Sequence, residues 1–359
     1  MRQFLIVSHR WVALCATPLL MVIGLTGAAI TYQSQLDALL NPRLFRTTAA
    51  NPLPLDSLLV RVQQTLPGKA LLAIQPAATP RGTTVFRVSA MGDVFVQPAT
   101  GAILGVRSDA QRVAGLASRL NLLHRALLLG DRGRLTVRWG TIAALYLVIT
   151  GIVLWWPDKI FSLRANASWK RINFDLHHII GVLASVVIVI TAGTGLLISL
   201  PDVNAAISKA AGSSVDPRFP QPRAAPGAHV ASLDQIRAAA AAAMPGATVA
   251  MISMPVDSSQ PYRVTMHFPE DHGIPGGRSF VAIDRYRGTV LGQFRRDELL
   301  PGTRLLMLER DLHTGGVFGT PTMIVWMLAS LAIGAQGVTG LLMWWHARRG
   351  RKALRQRAR

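Results

Sequence analysis

Histidine is the side chain in this sequence whose type and spacing could do chemistry. Leu123-His124-Arg125 is followed by Thr150-Gly151 and Trp155-Trp156, and Leu312-His313-Thr314 by Thr339-Gly340 and Trp344-Trp345. Histidine to threonine is 26 residues in both blocks, and histidine to the first tryptophan is 31. A second pair matches in the same way. His9 stands 17 residues before Thr26-Gly27 and His177 stands 17 before Thr194-Gly195, with His178 out of step by one. Gap-free matches of this length point to an internal duplication. Imidazole is a ligand for haem iron, copper or zinc, and ionisable residues kept beside a membrane span are functional by default.

The elements that must position these histidines are long apolar runs. The chain has 359 residues, half of them hydrophobic. Four runs reach the roughly 20 apolar residues that a bilayer crossing needs: about Trp11–Thr31, Trp139–Trp156, Ile179–Leu200 and Pro321–Trp345. A cleaved signal peptide is the alternative for the first run. The third run matches it and has no need of cleavage, which argues against that. The net charge of +20 raises nucleic acid as a partner. Much of the basic charge sits at span ends, where it sets orientation in a lipid bilayer instead. Arg2 and Arg10, the loop after Trp156, and the tail after His346 all fall on one side of four spans, so that side is expected to be cytoplasmic. In a bacterium this is a multi-pass inner-membrane protein with both termini inside and two soluble modules in the periplasm.

Those modules repeat as well. Pro67-Gly68, Thr84–Val88, Asp93–Val96 and Gly101–Gly105 correspond to Pro245-Gly246, Tyr262–Met266, Ser279–Ile283 and Gly288–Gly292. Each reads as one helix followed by alternating strands with glycine turns. Each is too small for a large core of its own, so packing on its twin or on the membrane is expected. The expected fold is a membrane α-helical bundle of four spans with two small α+β modules. The expected order is a first span in 1–35, a module in 41–110, a helix and second span in 111–157 and a cytoplasmic loop in 158–172. A third span follows in 173–201, then a linker and module in 202–300, a helix and fourth span in 301–346, and a basic tail in 347–359. The linker is the proline-rich stretch Ser213–Ala228. Cys15 is the one cysteine. It can form no intramolecular disulfide and reads as a small packing residue inside the first span.

Orientation assigns the histidines to depths. His9 and His177 come just before inside-to-outside spans, near the cytoplasmic face. His124 and His313 come before outside-to-inside spans, near the periplasmic face. One straight helix from His124 to Trp155 would be roughly 46 Å long, more than the roughly 30 Å hydrocarbon core. A break is therefore expected at Gly130-Asp131-Arg132-Gly133, and another at Gly315-Gly316. The plausible metal-sharing pairs are His9 with His177 inside and His124 with His313 outside. His178 and His346 compete for the inner site. No cysteine or methionine accompanies these histidines in a copper-like cluster, and no carboxylate stands at zinc-protease spacing. An apolar bundle with paired histidines at two depths suits haem. With no Cys-x-x-Cys-His for covalent attachment, two haem b are expected. Arg10 and Arg125 follow two of the histidines and could pair with propionates. The Thr-Gly pairs could let helices or a macrocycle approach closely, with plain helix packing the first reading, and the Trp-Trp pairs read as an interfacial belt. His267, Glu270, Asp271 and His272 read as a solvated loop rather than a metal site.

On His9-Arg10-Trp11, Leu123-His124-Arg125, Thr150-Gly151 with Leu154-Trp155-Trp156, Leu176-His177 with Gly181, and Leu312-His313, the chain resembles the PepSY-associated transmembrane-helix proteins. These iron-regulated membrane proteins include siderophore–iron reductases of the ferrioxamine reductase type. The soluble modules look like PepSY domains. Two positions depart from the pattern: Ala13 stands where Gly181 stands in the other half, and Thr314 where an arginine is expected. The resemblance implies a di-haem protein, with His9, His124, His177 and His313 as iron ligands. It would carry electrons from the cytoplasmic side or the quinone pool to a periplasmic ferric siderophore and release Fe(II). No Gly-x-Gly-x-x-Gly lies between a strand and a helix, so the donor is expected to be a quinol or a reductase protein. The rival reading is a PepSY-type sensor or protease- or peptide-binding accessory protein without redox turnover. A transporter is disfavoured, because the spans lack acidic residues to relay cations.

Overall fold

The computed structural model describes residues 1–48, 50–159, 161–164, 166–212, 220–222, 229–272 and 277–357. The first helices are α1 (Arg2–Ile30), α2 (Gln33–Leu40), α3 (Pro42–Phe45) and α4 (Leu55–Thr65). Strands β1 (Leu71–Gln75), β2 (Thr84–Val88), β3 (Gly92–Val96) and β4 (Ile103–Arg107) follow. Then come α5 (Asp109–Ala114), α6 (Leu116–Ala126), α7 (Gly130–Trp155), α8 (Trp169–Ile198), α9 (Pro201–Ala210) and α10 (Leu233–Ala243). Strands β5 (Thr248–Ser253), β6 (Tyr262–His267), β7 (Ser279–Ile283) and β8 (Val290–Phe294) precede α11 (Pro301–Thr314) and α12 (Thr320–Arg357). Most of the proline-rich linker lies outside the described residues.

The chain divides into two compact units. One comprises Met1–Gln33, Arg119–Ile207 and Leu306–Arg359. Among the described residues it holds four helices long and apolar enough to cross a membrane: α1, α7, α8 and the Thr320–Gly350 part of α12. Each begins earlier than its apolar run. Arg2, Arg132, Lys170 and Arg171 continue the helix beyond the stretch suited to hydrocarbon. His9 and His177 therefore lie within span helices, not ahead of them. The helices close a ring, with α1 and α8 each packed on both α7 and α12. Lipid offers no hydrophobic drive between helices, so close packing of small residues has to hold them. A Cβ on Gly24 of α1 would come 2.7 Å from the Ser330 carbonyl oxygen and 3.0 Å from the Ile333 Cβ, both on α12. Cys15 does not pack inside this ring; it is exposed on α1.

The other unit, Ser34–Ser118 with Ser208–Leu305, is one antiparallel sheet rather than two separate modules. Its strand order is β4-β3-β2-β1-β5-β6-β7-β8. The joint is β1 against β5, with Ala73 opposite Ser253 and Ile74 opposite Ile252. The alternation in β2 buries Thr84, Phe86 and Val88 and leaves Val85 and Arg87 partly exposed. Helices α4 and α10 supply the other half of the core. Leu58, Val62, Ile236 and Met244 pack with Ile74, Phe86, Ile252 and Val264 in one cluster. Neither module buries much alone, and pairing the two gives a shared core.

Helices α4 and α10 also cap each other. The Leu55 and Asp56 amides donate to the Asp234 carboxylate at 3.1 and 3.2 Å. The Leu233 and Asp234 amides donate to the Asp56 carboxylate at 2.9 and 3.0 Å. Each carboxylate satisfies orphan donors and sits at the positive end of the opposite helix. Replacing either aspartate by alanine should cost about 1 kcal/mol, the usual worth of a helix cap. Faster amide exchange in β1 and β5 would register it. Burial alone would raise the Asp56 carboxyl, but hydrogen bonds from the Asp234 and Leu233 amides outweigh it and hold the group below its ordinary value. The stabilisation is therefore present above the unfolded pKa of about 4. It should disappear as pH falls through the depressed value, and Asp56→Asn should remove that acid sensitivity.

Candidate metal centres at the two ends of the helix bundle

The histidine-bearing segments are built by backbone breaks. After His124 the chain reverses through Leu127, Leu128 and Gly130, at φ +50°, +59° and +58°. Left-handed leucines cost about 1–3 kcal/mol each and persist only when the surroundings hold them. Gly133 is obligatory there, because any Cβ would run into the Ala126 carbonyl. After His313 the reversal uses Gly315 at φ +76°. Trp326 Nε1 donates to the Leu312 carbonyl at 2.6 Å, and Thr322 Oγ1 donates to the Gly315 carbonyl at 2.6 Å. Both expected breaks are present, and they place His124 and His313 on short helices at the mouth of the bundle.

All four recurring histidines then reach a Thr-Gly pair on another helix. His9 Nδ1 lies 2.8 Å from Thr150 Oγ1, and His177 Nδ1 lies 2.9 Å from Thr339 Oγ1. His124 Nδ1 lies 3.0 Å from the Ile23 carbonyl and 3.3 Å from Thr26 Oγ1. His313 Nδ1 lies 2.9 Å from the Thr191 carbonyl and 3.4 Å from Thr194 Oγ1. The glycine after each threonine faces the same ring: Gly27 faces His124, Gly151 faces His9, Gly195 faces His313 and Gly340 faces His177. The Thr-Gly pairs therefore do more than let helices pack. They are the sockets of the histidines, and their one-to-one recurrence with histidine was the signal for it.

The hydrogen bonds also set the tautomer. Each threonine hydroxyl has one proton, and each donates it to the carbonyl four residues back at 2.6–2.8 Å. A carbonyl and a hydroxyl so engaged can only accept. Nδ1 is thus the donor in all four rings, and Nε2 keeps its lone pair. This is the arrangement of a metal-binding histidine, whose other ring nitrogen is held by an outer hydrogen bond. Burial, and then the neighbouring His313, push the His124 imidazole down to about 4. Burial lowers His313 too, and Arg310 adds to it, against the Thr191 carbonyl.

At this end the His124 and His313 ring centres are 6.3 Å apart, with planes inclined by 52°. Two imidazoles on opposite sides of one ion, with metal–nitrogen bonds of about 2 Å, have centres roughly 6 Å apart. The distance matches that spacing. At the other end His9 stands on α1 and His177 and His178 on α8, the last two with ring centres 5.9 Å apart. His178 differs from His177. Its Nδ1 bonds the Phe174 carbonyl of its own helix at 2.8 Å, and its ring lies 4.1 Å from the Phe174 ring. His346 sits two helical turns beyond Thr339, against the Trp345 ring at 5.2 Å. Arg10 is half-buried and Arg125 is exposed. Neither forms an ion pair with another described residue. Among the described residues no three His, Cys, Asp or Glu side chains form a metal cage.

Several polar residues had no place in the sequence reading. Gln336 Nε2 donates to the His177 carbonyl at 2.8 Å, and Asn173 Nδ2 donates to the Thr339 carbonyl at 2.9 Å. Gly181, where the first half has Ala13, faces the Gln336 amide. Asp175 is fully buried and pairs with Arg171 at 2.9 Å. Glu309 is buried one turn before His313 and accepts from Asn204 at 2.8 Å. In the first half, Tyr146 donates to Ser8 at 2.6 Å beside His9. Polar atoms in an apolar helix face were the available sign of these contacts. The Trp-Trp belt holds only in part, since Trp155 is buried against Phe161 at 5.0 Å while Trp156 is exposed.

The sequence from residue 7 to 347 matches the model of the PepSY-associated TM region. The chain belongs to the PepSY-associated transmembrane family. The match covers both units of this PepSY-associated protein, and the four apolar helices agree with its membrane character. No curated protein sequence matches the chain.

The sockets differ in how much room they leave. A Cβ on Gly195 would come 2.7 Å from His313 Cε1, whereas one on Gly151 or Gly340 would sit 3.6 or 3.5 Å from its ring. Alanine gains about 1 kcal/mol over glycine in a helix, and overpacking costs about 1–3 kcal/mol. Gly151→Ala and Gly340→Ala should raise the thermal unfolding midpoint. Gly195→Ala should lower it and displace His313.

Proposed function

We propose that this protein binds two b-type haems and carries single electrons across the bacterial inner membrane to a ferric siderophore outside. The observation that supports this reading is the set of four histidines. Each has Nδ1 tied to a second helix and Nε2 free, and they lie in pairs at the two ends of one bundle. His9 and His177 would hold one haem, and His124 and His313 the other. The His124 and His313 rings, 6.3 Å apart, would hold the outer haem. Arg10 and Arg125 stand beside two of the histidines, without an ion pair to another described residue, and suit propionates. Haem supplies one-electron chemistry when bound. The chain supplies neutral imidazoles, an apolar surround and spacing. The 17 residues of α1 between His9 and Thr26 span roughly 25 Å of helix, most of the roughly 30 Å hydrocarbon core.

Basic residues gather at the His9 end of the spans, which makes that end cytoplasmic. Both halves of the sheet unit enter the chain between a span's outer end and the helix bearing His124 or His313. They would bind the acceptor on the periplasmic side. A quinol or a reductase protein would supply electrons at the cytoplasmic side. Oxygen chelators hold ferrous iron poorly, so reduction releases it.

Purified from haem-replete cells, the protein should show a Soret band and split visible bands after dithionite. His124→Ala or His313→Ala should remove about half the haem, and His9→Ala or His177→Ala the other half. Reduced protein should be reoxidised by a ferric hydroxamate with Fe(II) trapped by ferrozine, and the outer-histidine variants should lose that reaction. A colourless preparation would overturn the haem reading. Equal reoxidation in wild type and outer-histidine variants would favour the sensor reading.

A further inference from the structure

We infer that Thr150 and Thr339 set the potential of the inner centre, while the outer centre is set by main-chain carbonyls that no side-chain replacement removes. This rests on the reading of the four histidines as haem ligands. The four sockets look alike in sequence but differ in which atom takes the Nδ1 proton. At the inner end it is a side-chain oxygen: Thr150 Oγ1 at 2.8 Å from His9 and Thr339 Oγ1 at 2.9 Å from His177. These hydroxyls donate their own protons to the Tyr146 and Ala335 carbonyls at 2.7 and 2.8 Å. At the outer end the nearest acceptors are the Ile23 and Thr191 carbonyls, at 3.0 and 2.9 Å. The Thr26 and Thr194 hydroxyls stand further off, at 3.3 and 3.4 Å. Each outer acceptor belongs to the residue three before the threonine, so the ring meets the main chain rather than the hydroxyl.

An acceptor on Nδ1–H makes the imidazole a more basic ligand. A more basic ligand favours the higher charge on the metal and lowers the potential. Removing the inner hydroxyls leaves a buried Nδ1–H without its acceptor and reverses this. Removing the outer hydroxyls leaves the carbonyls in place. Thr150 and Thr339 are therefore positioning residues that act through His9 and His177. The second half offers the cleaner variant, because Asn173 and Gln336 also tie α8 to α12 and keep His177 in place when the hydroxyl is lost.

The test is an optical redox titration of the full-length holoprotein in detergent. Thr339→Val and Thr150→Val should shift the potential of the inner centre upward and leave the outer one unmoved. Thr339→Ser should restore the wild-type potential. Thr26→Val and Thr194→Val should leave both centres where they were. If Thr150→Val empties the inner site, Thr150→Ser should refill it, and Thr339→Val still reports the shift. Unchanged inner potentials in both valine variants, or an equal shift of the outer potential in Thr26→Val and Thr194→Val, would overturn the inference. Wild-type protein with no haem spectrum would instead overturn the functional reading on which it rests.

Discussion

The bundle depends on one contact made four times: an imidazole Nδ1–H donated across to another helix. In a hydrocarbon surround an unpaired polar group is costly, so each buried ring must find an acceptor. The acceptor has to come from a helix whose own carbonyls are already engaged. A threonine hydroxyl, or a carbonyl near a helix-bonded threonine, meets that need. The glycine after each threonine lets the ring approach the backbone. His9 joins α1 to α7, His177 joins α8 to α12, and His124 and His313 join their short helices to α1 and α8. The same bonds leave Nε2 bare. One interaction thus holds the helices together and fixes the tautomer of the ring.

The two ends are not equivalent. His124 and His313 lie on short helices set by strained turns, so their position relies on Gly133, Gly315 and Trp326. His9 and His177 lie within long helices and inherit their rigidity. The second half carries further polar contacts, through Asn173, Gln336, Asp175 and Glu309, where the first half has Tyr146 with Ser8. A haem at each end would meet different surroundings although the histidines recur at the same spacing.

The sheet unit solves a different problem. A single helix with four strands buries too little to be stable alone, and its first strand has an open edge. Pairing β1 with β5 closes both open edges at once and merges the two cores. The crossed aspartate caps then hold α4 and α10 in register over the joint. The resulting sheet is still open at β4 and β8, as an eight-stranded antiparallel sheet must be unless it closes into a barrel.

Much of this was legible in the residues. Period and length marked the four spans, because about 20 apolar residues can serve few other purposes. Strand-forming residue types marked β2, β3, β6 and β7, and the chain reversals fell at or beside the expected glycines, Gly130 and Gly315. The recurrence of histidine with Thr-Gly was visible too, but its meaning was not. Spacing along the chain cannot say which helix a threonine faces. Only the ring order α1-α7-α8-α12 brings Thr150 to His9 and Thr339 to His177. The exchange of a hydroxyl for a carbonyl at His124 and His313 likewise follows from where α6 and α11 come to rest. The joining of β1 to β5 was equally hidden, since an edge strand carries no mark of its partner 180 residues away. Chemistry and periodicity are local and were written in the sequence. Acceptor, register and partner are relations between distant segments, and only packing decided them.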